Sequence, residues 1–277
     1  MKRALELWCA LLLCGSLRAQ QPAPNPGVPQ ASNADMQYTA AQIAAAPQQA
    51  VPIQDEPHHR LVLQNDFVHV YNVVVQPLDA TLLHRHDLPY LYISMGPADI
   101  VNAVQGKPEV HIVLQDGEIH YSPGGFAHIA RTDSGLLFHN ITIELPKPQG
   151  TTRNICKEVI PGPLGDCPQQ PAAQKNSPAN ADDQIPYFET DELRVDLVKV
   201  GSGRDYVDEK PNVNSLLVAL NGANLDAGLG GEHLSFLHGG DILWMPAGVH
   251  RRVVDFLGTK SSFLLVSFKD SASTAKP

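Results

Sequence analysis

Short runs of β-forming residues, separated by turn residues, cover most of the chain after residue 60. In the first half these runs are Leu61–Leu63, Phe67–Val75, Tyr90–Met95, Val110–Leu114, Glu118–Tyr121 and Leu136–Leu145. In the second half Leu193, Val195 and Leu197 alternate with polar residues, and further runs follow at Ser215–Leu220, Asp241–Met245 and Phe263–Phe268. No amphipathic helix of any length is predicted in these two halves. The pattern predicts an all-β protein built as a sandwich or as small barrels.

The two halves of the pattern look like copies of one another. Asp66-x-Val68-x-Val70 matches Asp191-x-Leu193-x-Val195. A Gly, a Pro and a second Gly follow at the same mutual spacing in both halves, namely Gly117, Pro123, Gly125 and Gly240, Pro246, Gly248. The two sets start 51 and 49 residues after their respective aspartates, and so small a difference indicates a duplication.

Changes in composition divide the chain into segments. Residues 1–19 combine a basic pair, an apolar run and small residues, which predicts a secretory signal peptide and an exported bacterial protein, periplasmic or extracellular. Residues 20–52, rich in Gln, Ala, Pro and Asn, predict a disordered low-complexity tether. We expect a first barrel over 53–148, a linker over 149–184, a second barrel over 185–270 and a tail over 271–277. No other apolar stretch reaches the roughly 20 residues that a membrane span needs.

Charge and cysteine content narrow the partners. The 20 basic and 29 acidic residues become 17 and 28, a net charge of −11, when three basic residues and Glu6 leave with the signal peptide. That balance, with no cluster of Lys or Arg, argues against nucleic acid or an anionic membrane as partner. Cys156 and Cys167 remain, and we expect a disulfide between them in an oxidising compartment, with free thiols as the alternative.

A histidine pair and a later glycine-containing turn carry the candidate chemistry. His84 and His86 are two residues apart, so on a strand both imidazoles project from one face and can converge on one ion. Downstream, the pattern Gly-x5-Pro-x-Gly-x2-His from Gly117 to His128 delivers a third imidazole after a tight turn. By composition this pattern should occur about 0.006 times in such a chain, so the match is informative.

These residues resemble the two sequence motifs of the cupin superfamily, which consists of small jelly-roll-like β-barrels. The matching positions are His84, His86, Gly96, Gly117, Pro123, Gly125 and His128. The resemblance covers about Val51–Leu145 well, as a type-2-like cupin barrel, and about Tyr187–Lys269 in outline. It implies a bicupin with two tandem barrels, and a divalent transition metal held by His84, His86 and His128.

One departure from the motif lies within the metal site. The glutamate ligand of the superfamily would fall at Tyr90 or Leu91, so the carboxylate is missing. A neutral set of three histidines suits Fe, Zn, Mn, Cu or Ni and leaves positions open for water or substrate. We expect Tyr90 to act as a catalytic proton donor near the metal, with a supporting hydrogen bond or direct ligation as alternatives. Asp87 could replace the carboxylate, but a turn residue facing water is the simpler interpretation.

The second departure concerns the C-terminal copy. Its segment Asp208-Glu-Lys-Pro-Asn212 contains no histidine, and Arg251 occupies the position of the third ligand, one residue after His250. We therefore expect no metal in the second barrel. The unpaired histidines, His111, His120, His139, His233 and His238, are expected to be structural, although His139 could line the first pocket. His58 and His59, at the edge of the tether, are expected to be solvated.

Three functions are compatible with these features. The first is a metal-dependent enzyme, either an oxidoreductase such as a dioxygenase, an isomerase or a lyase, acting on a small organic molecule. The second is a non-catalytic periplasmic protein that binds a small molecule or a metal. In the third, both barrels are interaction modules, for example in a homo-oligomer formed through edge strands. No nucleophile elbow, Walker loop or dinucleotide fingerprint supports other enzyme classes.

Overall fold

The computed structural model describes residues 49–168, 183–201, 205–208, 211–220, 223–229, 235–255, 257 and 261–269. The predicted signal peptide, nearly all of the tether, the tail and His233 lie outside the described residues. The described residues all belong to one unit of the chain, Met36–Pro277. They contain no helix that is long and apolar enough to cross a bilayer.

The first half of the chain forms a barrel of two facing sheets. Its strands are β1 (Val51–Pro52), β2 (His59–Gln64), β3 (His69–Val75), β4 (His84–His86), β5 (Tyr90–Ser94), β6 (Ala98–Val104), β7 (Val110–Leu114), β8 (Ile119–Ser122), β9 (Phe126–Arg131) and β10 (Phe138–Glu144). A single 3-10 turn, Ile53–Asp55, separates β1 from β2. One sheet has the order β1-β4-β9-β6-β7 and the other β2-β3-β10-β5-β8.

The second half repeats this arrangement. Its strands are β11 (Thr152–Asn154), β12 (Asp183–Thr190), β13 (Leu193–Lys199), β14 (Asp205–Asp208), β15 (Ser215–Ala219), β16 (Asn224–Leu229), β17 (Ser235–His238), β18 (Ile242–Met245), β19 (Arg251–Asp255) and β20 (Ser262–Phe268). The sheets have the orders β11-β12-β13-β20-β15-β18 and β14-β19-β16-β17. The order β3-β10-β5-β8 thus recurs as β13-β20-β15-β18, and β4-β9-β6-β7 recurs as β14-β19-β16-β17. The chain is all-β, with two tandem barrels of one topology.

The sheet that contains β10 is buried on both faces. Along β10, Asn140 and Thr142 line the interior of the first barrel, whereas Ile141 and Ile143 point the other way. The outward-pointing residues join an apolar core with residues of β13, β15 and β20, including Val195. One continuous hydrophobic core therefore connects the two barrels through the backs of their equivalent sheets.

Two segment boundaries differ from the sequence-based expectation. The tether ends before residue 52, because Val51 pairs in parallel with His84 and adds a strand to the first barrel. The predicted linker is not a simple connection, because β11 pairs antiparallel with β12 and so belongs to the second barrel. Beyond β11, Cys156 and Cys167 form a disulfide, with Cα atoms 4.8 Å apart.

Candidate metal centre

Three histidines converge because β4 and β9 are neighbours in the sheet. His84 and His86 project from the same face of β4, and His84 lies opposite His128 in the β4–β9 register. The ring centroid of His128 lies 4.5 Å from that of His84 and 5.1 Å from that of His86. The Nε2 atoms of His84 and His86 are 3.2 Å apart. The structure thus brings together the three residues that the sequence singles out.

The glycines before β9 fix the position of His128. Gly124 and Gly125 have φ values of +71° and +77°, which favour glycine strongly. A Cβ atom on Gly124 would lie 2.2 Å from the carbonyl oxygen of Leu88, so the backbones approach too closely for a side chain. The amide of Gly125 donates to the carbonyl of His86 at 2.7 Å. The turn therefore docks the start of β9 against the end of β4.

Hydrogen bonds at Nδ1 orient the imidazoles. Nδ1 of His84 donates to the carbonyl of Leu82 at 2.9 Å, and Nδ1 of His128 donates to Oδ1 of Asn102 at 2.7 Å. An oxygen acceptor at Nδ1 places the proton there and leaves a lone pair on Nε2. Nε2 of His128 is buried and has no hydrogen-bond partner. Both rings are therefore prepared to bind an ion through Nε2.

A fourth histidine joins the site, which corrects the expectation that His59 is solvated. His59 begins β2, is 8% exposed, and has its ring centroid 4.6 Å from that of His84. One ring nitrogen each from His59, His84 and His86 lie within 4.8 Å of one another, so the three residues form a candidate group for holding a metal ion. Nδ1 of His59 donates to the buried carboxylate of Glu56 at 2.5 Å. The sequence signal available was the Glu-Pro-His-His run before β2, which is a weak one.

Burial keeps the central imidazoles neutral. Burial, together with the nearby His59 charge, lowers the pKa of His84 to about 4, although the hydrogen bond to Leu82 opposes this shift. Burial and the charges of His84 and His59 lower the pKa of His86 to about 2. The pKa of His128 is also well below its usual value, chiefly because of burial. Neutral imidazole is the form that binds metals, so little proton competition opposes binding near neutral pH.

Two buried carboxylates stand behind the histidines. Glu56 is 1% exposed; burial raises its pKa, but hydrogen bonds from His58 and His59 outweigh burial and hold the pKa well below its usual range. Glu144 on β10 lies 3.9 Å from Nδ1 of His86, a buried atom without a hydrogen-bond partner. Burial and the charge of Asp87 raise the pKa of Glu144 to about 7, opposed by a hydrogen bond from Tyr71. Neither carboxylate was expected from the sequence.

Tyr90 and Asp87 have different positions relative to the site. The ring of Tyr90 stacks on His86 with centroids 4.2 Å apart and lines the cavity. Burial raises its pKa to about 12, although a hydrogen bond with Ser122 opposes the shift, so the phenol stays protonated and can donate a hydrogen bond. The Asp87 side chain is 67% exposed and pairs with Arg85 at 2.8 Å. It is a turn residue facing water.

The four imidazoles line one end of a cavity in the first barrel. The cavity has a volume of about 60 Å³, which is room for roughly four to six waters. Apolar side chains such as Val73, Ile100 and Phe138 form much of the wall. Asn140 and Thr142 supply polar groups, with the hydroxyl of Thr142 donating to Oδ1 of Asn140 at 2.7 Å. The cavity can admit a small, largely apolar molecule beside an ion.

Solved structures share this architecture. AerE from Microcystis aeruginosa matches with a TM-score of 0.53 and 12% identity, over 76% of this chain and 97% of that one. The G106A mutant of salicylate 1,2-dioxygenase from Pseudoaminobacter salicylatoxidans, in complex with gentisate, matches with a TM-score of 0.52 and 14% identity, over 76% and 74%. The protein has a two-barrel cupin fold. No sequence-family profile matches the chain, and no curated protein sequence is significantly similar to it.

In the second barrel an arginine occupies the position of the third histidine. Arg251 faces Asp208 in the β14–β19 register, as His128 faces His84 in the first barrel. Its guanidinium is buried and donates to the hydroxyl of Ser215 at 3.1 Å and to the carbonyl of Met245 at 3.0 Å. A guanidinium offers only donors, so it cannot bind a cation. It instead ties together the backbone around the equivalent position.

Three other histidines, His111, His120 and His139, do not line the cavity. His139 points toward the second barrel, where a Cβ on Gly240 would lie 3.2 Å from its ring. Its Nε2 hydrogen bonds with Oδ1 of Asn72 at 3.1 Å. It does not line the cavity. His111 is exposed on β7, and His120 pairs with Glu118 at 2.9 Å.

Proposed function

We propose that the first barrel binds one divalent transition metal through His84, His86 and His128, and that the protein is a metal-dependent enzyme acting on a small organic molecule. One observation carries the proposal. Nδ1 of His84 and of His128 each face an oxygen acceptor, so both rings keep an Nε2 lone pair inside a buried cavity. The separation of 3.2 Å between Nε2 of His84 and of His86 fits two nitrogens that each lie about 2.0–2.1 Å from one ion.

The residues around this centre define what the protein itself contributes. A bound ion with open positions would supply a Lewis acid or an oxygen-activating centre. The phenol of Tyr90 stays protonated because burial raises its pKa to about 12, so it can donate a hydrogen bond to a negative charge that develops next to His86. Apolar side chains form much of the cavity wall and lower the local polarity around the site. These properties support a dioxygenase, an isomerase or a lyase.

Metal analysis of the purified full-length protein tests the proposal. We expect close to one equivalent of Fe, Mn, Ni, Cu or Zn in the wild type and a loss of most of it in His84→Ala. His111→Ala, which removes an exposed imidazole on β7, is the matched control and should keep the metal. A wild type that stays metal-free after incubation with these ions would refute the proposal.

Catalysis is tested separately from binding. One protein of similar structure is a salicylate 1,2-dioxygenase, which supports oxygen chemistry as the first assay. Oxygen uptake and product formation would be followed with phenols, diketones, thiols and sugars, using metal-loaded wild type and Tyr90→Phe. Turnover that falls in Tyr90→Phe supports the enzyme. Tight ligand binding without turnover would instead support a non-catalytic small-molecule-binding protein.

We also propose that the protein is exported. The signal-peptide pattern of residues 1–19 supports export, and so does the disulfide between Cys156 and Cys167, since disulfides persist in oxidising compartments. Expression in a bacterium with its own leader, followed by fractionation and N-terminal sequencing, tests this. We expect a periplasmic or secreted product that begins near residue 20, and an unprocessed cytoplasmic product would contradict it.

A further inference from the structure

We propose that His59 is a fourth ligand of the metal and that Glu56 is the residue that positions it. The imidazole of His59 would then replace the missing glutamate ligand of the cupin motif. The carboxylate of Glu56 would act through a hydrogen bond to that imidazole instead of binding the metal itself. This inference rests on the proposed metal binding. It adds a ligand from β2, outside both sequence motifs.

The surroundings of Glu56 argue for a positioning role. Its side chain is fully buried, and its two oxygens accept hydrogen bonds from the ring of His59 at 2.5 Å, from the ring and amide of His58 at 2.8 Å each, and from the amide of Leu82 at 3.1 Å. Burying a carboxylate is costly unless such donors compensate it. Leu82 is also the residue whose carbonyl orients His84. A single carboxylate thus connects two of the imidazoles at the site.

The geometry of His59 argues for ligation. With Nδ1 held by Glu56, Nε2 is the nitrogen that remains for an ion. His59 lies opposite Val73 in the β2–β3 register, and its ring centroid is 4.6 Å from that of His84 and 6.1 Å from that of His86. Its donor atom lies within 4.8 Å of theirs, against about 3.0–3.4 Å for nitrogens that share one ion. Closure onto an ion therefore needs a shift on the order of an ångström.

A four-imidazole centre limits which metals can support catalysis. Four nitrogens occupy every position of a tetrahedral zinc ion, which is the arrangement of closed, structural sites. A six-coordinate ion such as Fe(II), Mn(II) or Ni(II) would keep two positions for substrate and oxygen or water. The ligands are neutral, so the charge of the ion is balanced from outside the ligand shell, where Glu56 lies. The inference therefore favours an octahedral metal.

Cobalt(II) binding to the full-length protein provides the test, because Co(II) reports both affinity and ligand geometry through its visible spectrum. Affinity would be measured by competition with a chelator, and the number of imidazole ligands by X-ray absorption. We expect four imidazoles in the wild type. In His59→Gly we expect three imidazoles and affinity lowered by at least about 10-fold, with millimolar imidazole restoring most of it.

Glu56→Gln tests the positioning role. The amide keeps an acceptor for His59 but loses the charge, so we expect metal affinity to fall by about 10–100-fold and the Co(II) spectrum to shift. His58→Ala is the matched control, because it removes another hydrogen bond of Glu56 and leaves His59 in place. His58→Ala should leave the Co(II) spectrum unchanged. If His58→Ala and Glu56→Gln instead change the affinity and the spectrum alike, Glu56 has only a structural role and its assignment as the positioning residue is wrong.

The outcomes separate this inference from the proposal on which it rests. Three imidazoles in the wild type, or an unchanged affinity and spectrum in His59→Gly, would overturn the role of His59 while leaving the metal site intact. A wild type that binds no Co(II) would overturn both. The ligand count in the wild type decides the question even where His59→Gly does not fold.

Discussion

Asn102 on β6 offers the most direct test of how the centre is prepared. Its Oδ1 accepts the Nδ1 proton of His128 at 2.7 Å, which leaves the Nε2 lone pair of that ring for an ion. In Asn102→Ala this acceptor is lost, so the tautomer and orientation of His128 are no longer fixed. Loss of such a supporting hydrogen bond typically lowers metal affinity by about 10–100-fold.

The expected effect on stability follows from linkage. At a free metal concentration 100 times the wild-type Kd, binding stabilises the folded state by about 2.7 kcal/mol. With affinity lowered 10–100-fold, the same metal concentration stabilises Asn102→Ala by only about 0.4–1.4 kcal/mol. The quantity compared is the metal-induced change in the free energy of unfolding, so any loss of stability in the metal-free variant cancels.

Denaturant unfolding with and without Ni(II) measures this change. Asn140→Ala is the matched control, because Asn140 lines the same cavity but is hydrogen bonded with Thr142 and not with an imidazole. We expect the control to keep about 2.7 kcal/mol of metal-induced stabilisation. An unchanged value in Asn102→Ala, or an equal loss in both variants, would show that Asn102 does not prepare His128.

Three further predictions concern stability. Gly125→Ala should destabilise the fold by about 1–2 kcal/mol because of its positive φ. Gly124→Ala should cost clearly more, because its added Cβ would also collide with the carbonyl of Leu88, and equal losses in urea unfolding would contradict this. Arg251→Leu should cost about 1–3 kcal/mol by leaving buried carbonyls unpaired, without change in metal content, and metal loss would count against the assignment of the site to the first barrel. The pKa of Glu144 is about 7 in the folded state and about 4.5 in the unfolded state, so between these values only the folded state keeps the proton. The free energy of unfolding of the metal-free protein should therefore fall by up to about 3 kcal/mol as the pH rises from 4.5 through 7. Glu144→Gln should abolish that slope, and an unaltered slope would refute the role of Glu144.

The resemblance to the cupin motifs predicts the barrel fold, and the local motifs predict that three of the histidines come together, as the structure shows. The His-x-His spacing places two rings on one face of any strand, and the turn glycines of the second motif are required by positive φ and by a backbone contact, so both leave a readable pattern. The repeated Gly-Pro-Gly spacing that starts at Gly117 and at Gly240 indicates a duplication, and the strand orders β3-β10-β5-β8 and β4-β9-β6-β7, which recur in the second half, bear this out. Such features depend on neighbours in sequence.

His59, Glu56 and Glu144 could not be predicted in the same way. Each reaches the site through strand pairing across the barrel: His59 through β2, and Glu144 through β10, more than 50 residues from His86. Glu56 and His59 also follow a segment whose composition predicts disorder, so the sequence favoured a solvated position. These residues lie near β4 only because the barrel closes around that strand. No spacing of nearby residues in the sequence predicts which strands meet when the barrel closes.

The shared hydrophobic core gives the second barrel a role that its own interior does not reveal. One sheet of the second barrel packs against Ile141 and Ile143 of β10. These two side chains lie on the face of β10 opposite to Asn140 and Thr142, which line the cavity. A chain that ended at residue 148 would expose those isoleucines to water and weaken the strand that carries Glu144. The second barrel therefore supports the first through its outer surface, whatever its own interior holds at the position of Arg251.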